Sequence, residues 1–368
     1  MTTQLTKNDI DNMSQEELQA LIASEEIIIH QLDKRQHAIK ILSNAIYGAL
    51  ATKYFRLFSV TCAESITLTG QTITAESFRM FNDYQNKVLK TDKDYIAFSD
   101  TDSAAVDFSD FVNKFIGEHS AVPFEKKLNK LTHLADGFFN DMLTKTFDDF
   151  ALELNSVSNK IIMKREKIAK AIIVAAKNYI VNVYDNEGVR YSKPKLSVTG
   201  LEAIKAFTPV VFKDALLDCY KICLDGTEAQ FRTYIQKLSG SVGDLNVNII
   251  CGNTSVNKLD AYQDSRGYPI KGTPGHVKGA LAYNRLVSGS DLHMPIHSGD
   301  KVFTVKLLEP NPIHADSIAF PDNYPSDLIS EEYVNKHALF EKYFLKPVQR
   351  VSNIVSFNVE QKQELSLF

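Results

Sequence analysis

Lys40-Ile41-Leu42-Ser43-Asn44-Ala45-Ile46-Tyr47-Gly48, followed about fifty residues later by Ser99-Asp100-Thr101-Asp102-Ser103, decides the reading of this chain. In the first string Lys40, Asn44 and Tyr47 stand at i, i+4 and i+7, which places them on one face of a helix. That face can present a cation, an amide and an aromatic ring to a single phosphate-bearing ligand. In the second string Asp100 and Asp102 are two apart, and in a strand such side chains share a face. Paired carboxylates on a tight strand or turn can hold Mg²⁺, which takes oxygen ligands and keeps phosphate oxygens and waters as partners. A cationic helix face combined with a carboxylate turn is what nucleotidyl transfer requires. Taken singly, each string has a plainer reading: Asp-Thr-Asp-Ser as an Asx-turn in a solvated loop, and Lys40 as a solvated helix charge.

Working outward, Ser14-Gln15-Glu16-Glu17 has the form of a capping box opening a helix. Leu18, Leu21, Ile22 and then Ile39, Leu42 and Ile46 recur at helical spacing, interrupted by the β-branched run Ile27-Ile28-Ile29. A second helix is expected over 61–89, with Ile66, Ile73, Phe78, Phe81, Tyr84 and Val88 as its core stripe. Tyr95–Phe98 and Ala104–Val106 are short apolar runs on either side of the acidic string, a β-hairpin with carboxylates at its turn. Residues 126–150 read as helical. Ile161–Met163, Ala171–Ala176 and Tyr179–Tyr184 read as strands, and Val210–Leu224 and Glu228–Leu238 as helices.

The 368 residues allow two or three domains and a sizeable core, and 44% hydrophobic with 23% charged content is ordinary for globular protein. No apolar run approaches the roughly 18 residues of a membrane span, and the N-terminus lacks the basic-then-apolar pattern of a signal peptide. Four cysteines without a framework suggest a reducing compartment. Cys219 and Cys223 share a helix face with no further Cys/His pair nearby, and read as buried thiols rather than metal ligands. The net charge of −4 does not advertise nucleic-acid binding, but charge distribution decides more than its sum. Lys164-Arg165, Lys167, Lys170 and Lys177 are candidates for lining a basic groove.

At these residues the chain resembles family B DNA polymerases. Lys-x-x-x-Asn-x-x-Tyr-Gly followed by Asp-Thr-Asp-Ser is similar to the second and third polymerase motifs, in the form found in the replicative polymerases of T-even-type bacteriophages. The likeness continues through Phe55-Arg56, Ala63-Glu64-Ser65-Ile66-Thr67, Gly70-Gln71, Arg165-Glu166, Lys177-Asn178-Tyr179 and Asn182-Val183-Tyr184-Asp185. It extends through Gly200-Leu201-Glu202, Thr208-Pro209, His276, Gly279, Tyr283-Asn284-Arg285 and Asn311-Pro312, so that it runs from about residue 13 to the C-terminus. The family's earlier motif, Asp-x-x-Ser-Leu-Tyr-Pro-Ser, which carries the other principal metal ligand, does not occur. Tyr324-Pro325-Ser326 imitates its end, but Ala319 stands where the Asp belongs, and the order along the chain is wrong. A loop broken by Pro321 and Pro325 is the better reading.

The resemblance implies an α+β fold: an incomplete polymerase right hand with the C-terminal half of the fingers at 1–55, the palm at 56–199 and the thumb at 200–368. It implies a DNA-directed DNA polymerase working by two-metal phosphoryl transfer with two Mg²⁺ ions, in the cytoplasm of an infected bacterial host cell. Asp102 is the implied metal ligand and Asp100 a supporting carboxylate. Lys40 and Asn44 would meet the incoming dNTP, and Tyr47 would pack at the nascent base pair. Gly48, Thr101, Ser103, Lys177 and Tyr179 would meet primer-template DNA.

The apolar tail Leu365, Leu367 and Phe368 is similar to a tail that docks a sliding clamp in the T-even-type enzymes, although a frayed terminus is the plainer account. Three departures stand out: Ala45 for the usual Ser, Ser99 for the usual Gly, and Asn178 where a basic residue is common. Two classes of function follow. In one, the chain is the C-terminal subunit of a split polymerase, and an N-terminal subunit supplies the exonuclease, the first palm motif and the remaining fingers helix. In the other, it is a non-catalytic DNA-binding or scaffolding relic.

Overall fold

The computed structural model describes residues 7–100, 102–116 and 123–359. The chain divides into two compact units, one formed by 1–84 and 101–104 and the other by 85–100 and 105–368.

The first unit is helical. A short helix α1 (Lys7–Asp11) leads into α2 (Gln15–Leu50), whose start is fixed by Ser14. The Ser14 hydroxyl accepts from the Glu17 amide, and the Glu17 carboxylate accepts from the Ser14 amide at 2.8 Å. Two otherwise orphaned donors are thereby satisfied. The run Ile27-Ile28-Ile29 does not interrupt this helix, contrary to the expectation from its β-branched side chains. The reason is one of scale: β-branching costs only a few tenths of a kcal/mol per residue, and Leu, Ala, Gln and Glu dominate the rest of the helix. Very little of α2 is covered, for none of its 36 residues is buried. At its end the Leu50 carbonyl accepts from Ser59, and the Ser59 hydroxyl accepts from Cys62 in the first turn of α3 (Val60–Leu89).

The second unit holds the main core. Strand β1 (Ile96–Asp100), in this unit, pairs as a two-stranded sheet with β2 (Ser103–Val106), whose first two residues are counted with the first unit. After it come α4 (Ser109–Phe111) with a π-helical turn at Val112–Ile116, then α5 (Phe124–Leu134), a second π turn at Ala135–Phe139, and α6 (Asn140–Glu153). Phe108, Phe111 and Phe139 pack together at this end. Strands β3 (Lys167–Ala175), β4 (Asn178–Asn186) and β5 (Val189–Thr199) form an antiparallel meander in which Ile180 faces both Ile172 and Val198. The strand expected at Ile161–Met163 is absent. Asn159 accepts the Ile161 N–H at 2.7 Å, which turns the backbone locally, and Ile162 is 78% exposed.

Beyond Gly200 the chain packs α7 (Val210–Asp225), α8 (Glu228–Ser241) and α9 (Val247–Ile250) with a second antiparallel sheet, β6 (Gly252–Ser255), β7 (Lys301–Lys306) and β8 (Ser317–Phe320). Helix α10 (Gly275–Leu286) lies on β8 so closely that a Cβ on Gly279 would sit 2.8 Å from the Ala319 nitrogen. Helices α11 (Lys336–Phe340) and α12 (Lys346–Ser352) close the unit, with a π turn at Glu341–Leu345 between them. Phe340 and Phe344 stack at 5.1 Å between ring centres and reach Phe212 on α7. Cys219 and Cys223 on α7 are buried, as their spacing suggested. Tyr324-Pro325-Ser326 is a turn, with the Leu328 N–H donating to the Pro325 carbonyl, and Ala319 is wholly buried in β8. No described helix is long and apolar enough to cross a membrane.

Candidate functional site

Lys40, Asn44, Tyr47 and Gly48 occupy the last turns of α2 in the first unit, all exposed. The tyrosine is anchored while its ring stays open. Its hydroxyl lies 2.7 Å from the Thr67 hydroxyl, which in turn donates to the Ala63 carbonyl one turn earlier on α3. The phenol end of Tyr47 is thus fixed, and the ring remains 44% accessible to a ligand. The amide of Asn44 and the ammonium of Lys40 line up along the same face, one and two turns towards the N-terminus.

Asp100 ends β1 and belongs to the second unit; Asp102 follows in the turn, exposed, and exposed Ser103 opens β2. Thr101 lies outside the described residues, as do Leu365, Leu367 and Phe368. What holds β1 is a two-rung contact with the turn between β3 and β4. Phe98 stacks on Tyr179 at 4.7 Å and 21°. Two residues on, an Asp100 carboxylate oxygen receives the Lys177 ammonium at 3.0 Å. The rungs match because Phe98 and Asp100 share one face of β1, while Lys177 and Tyr179 are also two apart.

Lys177 takes a left-handed backbone, φ 61°, a conformation that costs a non-glycine residue roughly 1–2 kcal/mol. Gly200, itself at φ +70°, secures it: a Cβ there would overlap the Lys177 carbonyl oxygen and stand 3.1 Å from the Asn178 side-chain carbon. Only a glycine lets the end of β5 press against this turn.

One of the expected groove residues has a different role. Arg165 does not face a groove but is buried, with its side chain 9% exposed, between Asp136 on the π turn before α6 (2.6 Å) and Asp185 on β4 (2.5 Å). Arg190 adds a second contact to Asp185 at 3.4 Å and donates to Thr132 on α5. Hydrogen bonding to Asp136 raises the Arg165 pKa further, against the effect of burial. Burial pushes Asp185 up, but the Arg165 hydrogen bond and charge, the Gly188 amide and Arg190 outweigh it and hold the carboxyl below the usual range. The cluster ties the helical layer to the meander that carries Lys177 and Tyr179. Lys170 is also engaged, with the Leu224 carbonyl and Asp225.

The structure therefore brings Asp100 together with Lys177, and places the predicted Tyr179 on Phe98. Lys40, Asn44 and Tyr47 form a separate group in the other unit. Sequence reasoning missed Phe98, Thr67 and the role of Gly200. Phe98 was visible only as one apolar residue of a strand. Thr67 and Gly200 stood only inside stretches of the family likeness with no role attached, and Gly200 could also have been suspected from a lone glycine closing a strand. Asp102 offers a hard oxygen donor open to solvent and Asp100, half-exposed and paired with Lys177, a second, donor types that suit Mg²⁺. They fit part of a site: among the described residues no group of three or more His, Cys, Asp or Glu side chains is arranged to hold a metal ion.

The chain is similar to known proteins along most of its length. The sequence profile of DNA polymerase family B matches residues 14–266. The chain is 30% identical over 376 residues to the DNA-directed DNA polymerase of Enterobacteria phage T4, an alignment that covers 97% of this chain and 41% of that protein. It is 29% identical over 340 residues to the DNA-directed DNA polymerase of Escherichia phage RB69, covering 89% of this chain and 37% of the relative. To DNA polymerase 1 of Aeropyrum pernix it is 26% identical over 286 residues, 74% of this chain and 23% of that one. The chain spans about two-fifths of the length of the two phage relatives. With the helix-face string, the acidic hairpin and the Lys-x-Tyr turn all inside the matched residues, the chain belongs to DNA polymerase family B.

Proposed function

We propose that this chain is the C-terminal catalytic subunit of a split template-directed DNA polymerase, extending a primer 3′ end with dNTPs once a second polypeptide supplies the missing metal-binding Asp. The observation that carries the reading is the two-rung contact, in which the Lys-x-Tyr turn is held against the strand bearing Asp100. A scaffold has no need to keep an acidic hairpin in register with a lysine and an aromatic ring. On this reading 1–55 is part of the fingers, 56–199 the palm and 200–368 the thumb.

Asp102 would hold Mg²⁺, with Asp100 beside it in sequence as a supporting carboxylate. Mg²⁺ bound there would supply charge neutralisation at the primer 3′ oxygen and at the leaving pyrophosphate. The chain's own residues do the rest. Lys40 neutralises triphosphate charge, and Asn44 hydrogen-bonds the incoming nucleotide. The anchored ring of Tyr47, with Gly48 beside it, offers a flat surface against the nascent base pair. Lys177 contributes a cation and Tyr179 an aromatic edge to the primer-template duplex, with Thr101 and Ser103 as further polar contacts. Leu365, Leu367 and Phe368 would dock a sliding clamp as a short apolar anchor.

Primer extension with Mg²⁺ and dNTPs tests this, using the chain alone and then mixed with a polypeptide carrying the family's first palm motif. Extension only in the mixture, abolished by Asp102→Ala, is the expected result. DNA binding without extension in either case would favour a relic of palm and thumb.

A further inference from the structure

The chain leaves β5 through a corner pinned at three successive residues. Gly200 lies so close to the Lys177 carbonyl that no side chain fits between them. Leu201 is buried in the core. Glu202 opens a short 3₁₀ turn (Glu202–Ile204), with its side chain 14% exposed and a cation against each carboxylate oxygen. Lys205, at 3.4 Å from Oε1, stands just beyond the turn and moves with it. Arg350, whose guanidinium meets Oε2, comes from α12 and ties the turn to a distant element. Burial pushes the Glu202 carboxyl up, but the adjoining Arg350 guanidinium, its own backbone N–H and Lys205 hold it below the usual range. What this corner touches is strained. Lys177 keeps a left-handed backbone, which persists in a non-glycine residue only where the surroundings over-determine it. Tyr179 is paired in register with Ile173 on β3 and Thr199 on β5. Lys177 lies outside that ladder, in the connection between β3 and β4, so the Gly200 backbone against its carbonyl bears directly on its conformation.

We propose that Arg350 is a positioning residue for the Lys177–Asp100 contact. By holding Glu202 it fixes the Gly200 corner, the corner keeps the Lys177 turn left-handed, and the turn delivers the ammonium to Asp100 at 3.0 Å. The inference rests on the reading of Lys177 as a primer-template contact, and adds to it a link from helix α12 to that residue. Without Arg350, Glu202 keeps only Lys205, which travels with it. A largely buried carboxylate short of partners is unfavourable, so the turn is drawn towards solvent and Gly200, two residues back, withdraws from the Lys177 carbonyl. The sign of the charge separates this role from a direct one. Arg350 is itself a half-exposed cation, and its loss would weaken DNA binding by either route. Loss of the Glu202 charge acts in opposite directions: removing a carboxylate strengthens general attraction for DNA, whereas releasing the corner weakens binding through Lys177.

Two measurements on the full chain test this, and neither needs extension activity. A zero-length carbodiimide joins a lysine to a carboxylate only where the two are in ion-pair contact. The yield of the Lys177–Asp100 isopeptide, read by peptide mass spectrometry, should fall severalfold in Arg350→Met and in Glu202→Gln. Arg350→Lys keeps one charged donor for Glu202 and should recover part of that yield. Thermal melts check that each variant is folded at the assay temperature, and where Arg350→Met is not, Arg350→Lys and Glu202→Gln carry the comparison. Fluorescence anisotropy of labelled primer-template gives the consequence: Glu202→Gln and Arg350→Met should each weaken binding about threefold to tenfold. In a Lys177→Met background neither should change affinity more than about twofold, because the contact they serve is already gone. An unchanged cross-link yield, or tighter DNA binding by Glu202→Gln, would overturn the proposal. So would an Arg350→Met loss that persists in full beside Lys177→Met, which would make Arg350 a phosphate contact in its own right. If the cross-link falls as expected but Lys177→Met binds DNA like wild type, the positioning role stands and the reading of Lys177 as a DNA contact fails.

Discussion

Replacing Arg165 with Met removes the central member of a buried charge cluster and leaves Asp185, with its side chain only 2% exposed, to face the interior with reduced compensation. Breaking one partner of a buried ion pair costs about 3–5 kcal/mol. Arg190 at 3.4 Å and the Gly188 amide at 3.1 Å still reach Asp185, so the lower end of that range, about 3 kcal/mol, is expected. The second unit contains roughly 280 residues, whose unfolding entropy is about 0.6 kcal/mol/K, so its melting temperature should fall by about 5 °C.

Differential scanning calorimetry measures this directly. The pH dependence supplies a sharper check. Asp185 is depressed in the folded state, so its contribution to stability is fully present above the unfolded carboxyl value near 4 and is lost as pH falls through its lower folded value. The difference between wild type and Arg165→Met should therefore be largest near neutral pH and shrink below about pH 4. Replacing both partners, Arg165→Met with Asp185→Leu, should recover part of the loss, since apolar substitutes for a buried pair are often near neutral. A melting temperature unchanged at neutral pH, or a deficit that grows on acidification, would refute the account of Arg165 as a structural strut.

Three other expectations follow from the same geometry. Lys177→Met breaks a surface pair with Asp100 and should cost under about 1 kcal/mol of stability, while the slope of log affinity for primer-template against log salt falls by about one contact; an unchanged slope would remove Lys177 from the DNA interface. Gly200→Ala must relieve an overlap with the Lys177 carbonyl at a positive φ, so it should destabilise by at least about 1–2 kcal/mol and weaken extension in the assembled enzyme; calorimetry and single-turnover extension would show whether the turn tolerates it. Of the four cysteines only Cys62 is exposed, whereas burial pushes Cys219 up, Cys223 up to about 12 and Cys251 up to about 11; an aromatic disulfide reagent should titrate one thiol in the native chain and four after denaturation.

Much of this was legible in the sequence because the relevant signals are local. A capping box, a hairpin flanking two acids and a Lys-x-Tyr pair each declare themselves within a few residues. The helices at 210 and 228 were equally clear, since their apolar spacing serves one core. The misreadings came where the deciding partner is distant or competes locally. Ile161–Met163 has strand composition, but a neighbouring asparagine captures the backbone donor that a sheet would need. Arg165 looks like any surface cation until Asp136 and Asp185 are brought to it from elements 29 and 20 residues away. The stacking of Phe98 on Tyr179 was hidden for the same reason, because no local pattern couples residues 81 positions apart.

The absence of any buried residue in α2 bears on how this helix opens. Apart from contacts near its C-terminal end, such as that of Tyr47 with Thr67 on α3, its backbone hydrogen bonds have little tertiary cover, and most helical stability in proteins comes from such packing. Its amide protons should exchange with solvent after brief local openings, whereas those of β4, which lies between two strands, wait for rarer, larger openings of the second unit. Any polypeptide that settles on α2 would have to slow that exchange. The rate at which this helix takes up deuterium is consequently a direct reporter of assembly, readable residue by residue without a label or an activity assay.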